Sequence, residues 1–175
     1  MKWQDALEHY KLAYGQDAIL EYQKAYARLC LRMGQWDEAV QLHKDILEQV
    51  AAEHGKAGNV YAAALNNLAA IYQSTGRHSE TMPLFEEALS ICSDDLGVDH
   101  PDTASSLNNL AVLYRVQRRH KVAAPLQKEA VEIMEWLLGA EHPNTKIMRE
   151  NYEGFWRIWR RRGRSDPFDV LMDGE

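Results

Sequence analysis

The sequence predicts an all-α chain, a solenoid of antiparallel helix pairs. Three observations carry that expectation. Ala, Leu, Glu, Gln and Arg abound while runs of Val, Ile and Thr are absent, so intrinsic preference favours helix throughout. The phrase "ALNNLAAIYQSTGR" at Ala64 returns as "SLNNLAVLYRVQRR" at Ser106, 42 residues on. Within each copy, apolar and small residues fall three and four apart and then break at a turn signal, which divides the unit into two amphipathic helices. Self-similarity at this period is the mark of a stacked repeat.

The register is kept over the whole unit. Leu65 to Ala69 fall on Leu107 to Ala111, Tyr72 on Tyr114, and Arg77-His78 on Arg119-His120. Pro83-Leu84 fall on Pro125-Leu126, Ile91 on Ile133, Leu96-Gly97 on Leu138-Gly139, and His100-Pro101 on His142-Pro143.

Taken in order, residues 1–15 ("WQDALEHYKLA", with Trp3 and Ala6) read as the second helix of a partial repeat. Residues 22–53 form a repeat in which Tyr26, Ala27 and Cys30 precede Gly34, and Trp36, Ala39, Leu42 and Ile46 follow it. In the repeat at 60–97, Leu65, Leu68, Ala69 and Tyr72 define the first helix. Gly76 supplies a left-handed cap. Leu84, Phe85, Ala88, Leu89, Ile91 and Cys92 define the second helix, and Pro83 sits early enough for its missing N–H to cost little. Ala39 and Ala123 allow close helix approach. At the same register Thr81 can pack its methyl group and bond its hydroxyl to the preceding turn. The repeat at 102–139 begins from Gly97 and Pro101, with Asp102 favoured by the helix dipole. Residues 144–162 read as a terminal capping helix with Trp156 in the core register of Tyr114. Together these make a solenoid over 1–164, followed by a tail at 165–175.

The charge of -6 speaks for solubility rather than for a class of partner. Cys30 and Cys92 lie in apolar helical patterns without metal-like spacing, so two buried thiols in a reducing, cytoplasmic setting are expected. The N-terminal stretch lacks a signal-like apolar core, and no apolar run is long enough to span a membrane. There is no Walker loop, Rossmann glycine pattern, G-x-S-x-G, H-E-x-x-H or Cys-x-x-Cys. The seven histidines include His100 and His142, which precede prolines at helix starts and read as turn residues. No enzyme activity, cofactor or metal is expected.

The Gly-x-Trp-x-Glu-Ala stretch from Gly34 to Ala39 resembles the turn of a tetratricopeptide repeat. The units with "LNNLA", "EAL" or "EAV", "LG" and "HPDT" or "HPNT" resemble the repeats of kinesin light chains. The resemblance is closest from Leu65 to Thr145. It implies a right-handed superhelical solenoid of antiparallel helix pairs, with first helices lining a concave groove that binds peptides or partner helices. A light chain also carries a coiled coil that binds its motor chain, and no sustained heptad is present here.

On that reading, Asn66, Ala70 and Gln73, then Asn108, Val112 and Arg115, face the groove. Asn67, Asn109 and Asn151 follow its edge. An amide donates and accepts together, so it can hold a peptide backbone. The same asparagines could instead tie neighbouring repeats to each other. Lys24, Arg28 and Arg32 add cations in the first full repeat and Arg157 in the last helix. Acidic groups cluster on the second helices, among them Glu38, Glu86, Glu87, Glu129, Glu132 and Glu135. The expected partner is therefore a peptide or helical segment of another protein, acidic or amide-rich. A homodimer through the solenoid ends, or a regulatory segment of a larger signalling protein, is the alternative. The cluster "RIWRRRGR" is too short and isolated, on an acidic chain, to argue for nucleic acid. The tail stretch "PFDVLMD" is a further candidate to occupy the groove.

Overall fold

A computed structural model of the chain describes residues 16–161. The partial repeat expected at 1–15 and the tail at 165–175 lie outside them. Among the described residues the secondary structure is helical, with no strand. The elements are α1 (Gln16–Met33), α2 (Trp36–His54), α3 (Gly58–Ser74), α4 (His78–Asp95), α5 (Pro101–Val116), α6 (His120–Leu138) and α7 (Pro143–Arg161). The chain divides into two units, residues 1–84 and 85–175, with α4 running through the division.

In the first unit α1 packs on α2 and α2 on α3, each antiparallel to its neighbour. The seam of the first pair holds Ala27, Cys30, Ala39 and Leu42, all fully buried, with Tyr26 and Leu31 against them. The two alanines let the backbones approach closely, and Leu42 fills the space that remains; burying a leucine of this kind contributes about 1.5–3 kcal/mol. The Tyr26 hydroxyl donates to Glu38 Oε1 at 3.2 Å across this seam. Burial, followed by the nearby Cys30 and Glu38, pushes the phenol up to about 12. A second cluster, Val40, Leu68, Ile71 and Tyr72 with Leu31, Leu47 and Leu84, joins α2 to α3.

The second unit repeats the plan. α5 packs on α6 and α6 on α7. Its core contains Ala104, Leu107, Ala130, Ile133 and Met134, with Leu89, Leu126, Leu137 and Met148 around it. Trp156 is buried, as its register predicts. Cys30 and Cys92 are both buried free thiols, and burial raises the pKa of each.

The turns follow the local chemistry read in the sequence. Gly34 and Gly76 adopt positive φ, 74° and 76°. Each lets the next residue bond back into the helix, Gln35 N–H to Cys30 O at 2.9 Å and Arg77 N–H to Tyr72 O at 2.8 Å. Thr81 is fully buried and its hydroxyl donates to Arg77 O at 2.9 Å, so the threonine serves at the alanine position in the way expected. Pro101 and Pro143 open α5 and α7. His100 and His142 are more than turn residues: the Nδ1 of each accepts the backbone N–H two residues on, from Asp102 and Asn144, at 3.2 Å in both cases. An imidazole thus does the work usually given to Ser, Thr or Asp at a helix start.

Candidate functional site

The first unit contains a cleft of about 260 Å³ lined by Lys24, Arg28 and Leu31 from α1, His43 from α2, and Asn67, Ala70 and Ile71 from α3. Its construction follows from helix geometry. Positions 24, 28 and 31 of α1 and 67, 70 and 71 of α3 each fall on one stripe, because residues three and four apart share a helix face. Helix α2, packed on both, contributes His43 to the lining.

The cleft is basic and apolar together. Lys24 Nζ bonds Glu21 Oε1 at 2.8 Å. That bond and the lysine's charge, with a smaller influence from Arg28, hold the Glu21 carboxyl below its usual range. Arg28 is exposed. His43 is buried, and burial lowers its pKa, so near neutral pH it is an uncharged imidazole with one donor and one acceptor. Leu31 and Ile71 give the walls an apolar surface, and Asn67 adds an exposed amide at the rim.

Four residues singled out in the sequence, Lys24, Arg28, Asn67 and Ala70, thus meet around one cavity. Arg32 lies on α1 and is exposed; Gln73 on α3 is half-buried. Asn66 is half-buried, with its amide oxygen enclosed and its side chain engaged with neighbouring groups. Asn67, one position on, is the residue that lines the cleft. His43 was not singled out beyond its place among the histidines. The signal was present: at the 42-residue shift it aligns with Phe85 and Gln127, both buried, so a histidine there had to be buried as well.

In the second unit Asn108, Asn109, Val112 and Arg115 are half-buried on α5. Arg115 lies over the Phe155 ring of α7, its guanidinium carbon 4.5 Å from the ring centroid, and burial lowers its pKa. Asn151 and Arg157 are exposed on α7, and Arg157 pairs with Glu153 at 3.7 Å. Trp159 meets His120 in a tilted arrangement with ring centroids 3.9 Å apart, beside Phe155 and Trp156. Phe155, Trp156 and Trp159 thus form one aromatic group with His120, while Arg157 stays exposed.

Among the described residues no helix is long and apolar enough to cross a membrane. Nor, among them, do three or more His, Cys, Asp or Glu come together in a group that could hold a metal ion.

Comparison with known proteins agrees with this architecture. BtubC (BKLC) from P. vanneervenii is similar in structure with a TM-score of 0.75 and 21% identity, over 89% of this chain and 63% of that one. A Podosopora anserina protein of kinesin light chain type, built of nearly identical TPR-like repeats, is similar with a TM-score of 0.68 and 27% identity, over 76% of this chain and 63% of its own. A single-substitution variant of that protein gives 0.68 and 26%. The chain therefore spans 63% of the length of each of these solved structures. No curated protein sequence matches it. The profile of the tetratricopeptide repeat matches residues 16–80 and again 60–136. With more than half of its length so matched, on stacked antiparallel helix pairs, the chain belongs to the tetratricopeptide repeat family.

Proposed function

We propose that this chain is a non-enzymatic adaptor that binds a peptide or helical segment of another protein against the paired faces of α1 and α3. Membership of a family of protein-interaction modules supports the general role. The observation that carries the specific reading is the convergence of Lys24, Arg28, Asn67 and Ala70 on one cleft above a neutral His43. The preferred guest is acidic or amide-rich. Two cations at a concave rim focus a positive field there, Leu31 and Ile71 take an apolar side chain, and Asn67 bonds a peptide amide. Affinity comes chiefly from apolar burial and amide contacts, and charge adds steering. The helix starts at Trp36, His78 and His120, and at Pro101 and Pro143, support a unit of 42 residues as the building block. The cytoplasm is the compartment that suits two free buried thiols.

The test uses a labelled peptide library in which acidic, neutral and basic members share one apolar residue. Binding is read by fluorescence anisotropy at two salt concentrations. The acidic members should bind best. Arg28→Ala combined with Asn67→Ala, both exposed positions, should weaken them by about tenfold, equivalent to about 1.4 kcal/mol, with helicity unchanged. Equal binding by wild type and double variant would remove the cleft from consideration.

A further inference from the structure

The second unit carries a different surface, and its chemistry is opposite in sign. Trp136 on α6 is 74% exposed, and Val98, in the link between α4 and α5, is 61% exposed. Together with Asp99, Glu129, Glu132 and Ile133 they line a cleft of about 280 Å³. Glu129, Glu132, Ile133 and Trp136 fall at spacings of three and four, so they share one face of α6. Glu132 pairs with Lys128 at 3.5 Å on the exposed helix surface. Asp99 and Glu129 are both exposed.

The repeat does not require a tryptophan here. At the 42-residue shift Trp136 aligns with Asp94, an exposed carboxylate that accepts from Ser90 at 3.2 Å. Helix packing is thus served at this register by a solvated charge. A large ring held mostly in water at the same place gains little burial within the unit, and exposed apolar surface of this kind marks an interaction site. Tryptophan is also enriched among the residues that dominate interface energetics.

We infer that the Trp136 cleft docks an arginine-bearing segment of a second protein. Tryptophan is the aromatic ring that attracts a cation best, and guanidinium is the cation that stacks most readily on such a face because it is planar and weakly hydrated. Asp99, Glu129 and Glu132 line the same cleft and supply carboxylates to receive the guanidinium's N–H groups. Val98 and Ile133 take the aliphatic stem or a neighbouring apolar residue. A protein from elsewhere suits the charge better than a second copy of this chain, since two bodies of net charge -6 repel at long range. This surface is separate from the α1–α3 cleft and selects the opposite charge, so its test does not depend on that reading.

The probe is acetylated tetra-arginine amide added to the full ¹⁵N-labelled chain, with tetra-lysine and tetra-glutamate amides for comparison. The indole N–H signal of Trp136 is identified by its disappearance in Trp136→Phe. Tetra-arginine should move that signal saturably, tetra-lysine more weakly and tetra-glutamate not at all. Glu129→Gln with Glu132→Gln should weaken the response about tenfold. Trp136→Ala, a surface change that leaves the helices intact, should abolish the saturable shifts that tetra-arginine produces at the backbone amides of Glu129, Glu132 and Ile133. A Trp136 signal that stays still, or moves as far with tetra-lysine, overturns the proposal. So does Trp136-dependent self-association in sedimentation velocity, which would make a second copy the occupant.

Discussion

Arg115 of α5 lies above the ring of Phe155 of α7, its guanidinium carbon 4.5 Å from the ring centroid, and ties the last described helix of the second unit to the first helix of the pair before it. A guanidinium so placed covers apolar surface while keeping its charge. Phe155→Leu should keep much of the burial but lose the ring, lowering stability by about 0.5–1 kcal/mol. Phe155→Ala should cost more, about 2 kcal/mol for a half-buried aromatic ring. Urea unfolding of both variants measures the difference. A Phe155→Leu variant as stable as the wild type would show that the cation contributes nothing to the contact.

Arg118 occupies the turn position that Gly76 holds in the preceding repeat, and both are left-handed, at φ 62° and 76°. A Cβ in that conformation costs about 1 kcal/mol. Arg118→Gly should therefore stabilise the chain slightly, by about 0.5 kcal/mol after the added freedom of the unfolded glycine is set against it. Gly76→Ala should destabilise it by about 1 kcal/mol. Thermal unfolding should show the two midpoints moving in opposite directions.

His100 and His142 cap α5 and α7 through Nδ1. Replacing either by Ala should cost about 0.5–1 kcal/mol, while Asn or Asp at the same position should restore it. Hydrogen exchange at Asp102 and Asn144 gives a local readout. Faster exchange there with the rest unchanged is the expected pattern, and no change would mean the imidazoles leave those N–H groups to water.

His43 is buried, which lowers its pKa below the unfolded value. For a base shifted in this direction the contribution to stability is fully present above the unfolded pKa near 6.5. It is lost as pH falls through the folded pKa, because the unfolded chain takes up the proton first. Stability should therefore drop between pH 7 and pH 5. His43→Phe, the residue found at the same register in Phe85, should flatten that segment of the profile. The cleft's affinity for an acidic peptide need not follow stability, so both should be measured across the range. An unchanged slope in His43→Phe would assign the acid sensitivity elsewhere.

By itself the sequence determined the helix pairs, their turns and their order. Those features are local: a 3.6-residue apolar period, Gly34 and Gly76 at left-handed turns, Pro101 and Pro143 at helix starts, and small residues at Ala39, Thr81 and Ala123 for close approach. Each is dictated by backbone sterics and by which face can be hidden from water, and the repetition made the pattern unambiguous. The exposure of individual side chains was decided only in the tertiary structure. A helical wheel puts Asn66 and Asn67 within one step of each other, yet one amide oxygen is enclosed and the other side chain lines the cleft. Three tryptophans on similar helices end with one buried, one tilted against His120 and one largely in water. Arg115 reads as a free cation until Phe155, forty residues away, closes over it. Sequence spacing sets the direction a side chain leaves its own helix. What it meets there depends on how neighbouring helices approach, and that is a property of the packed fold.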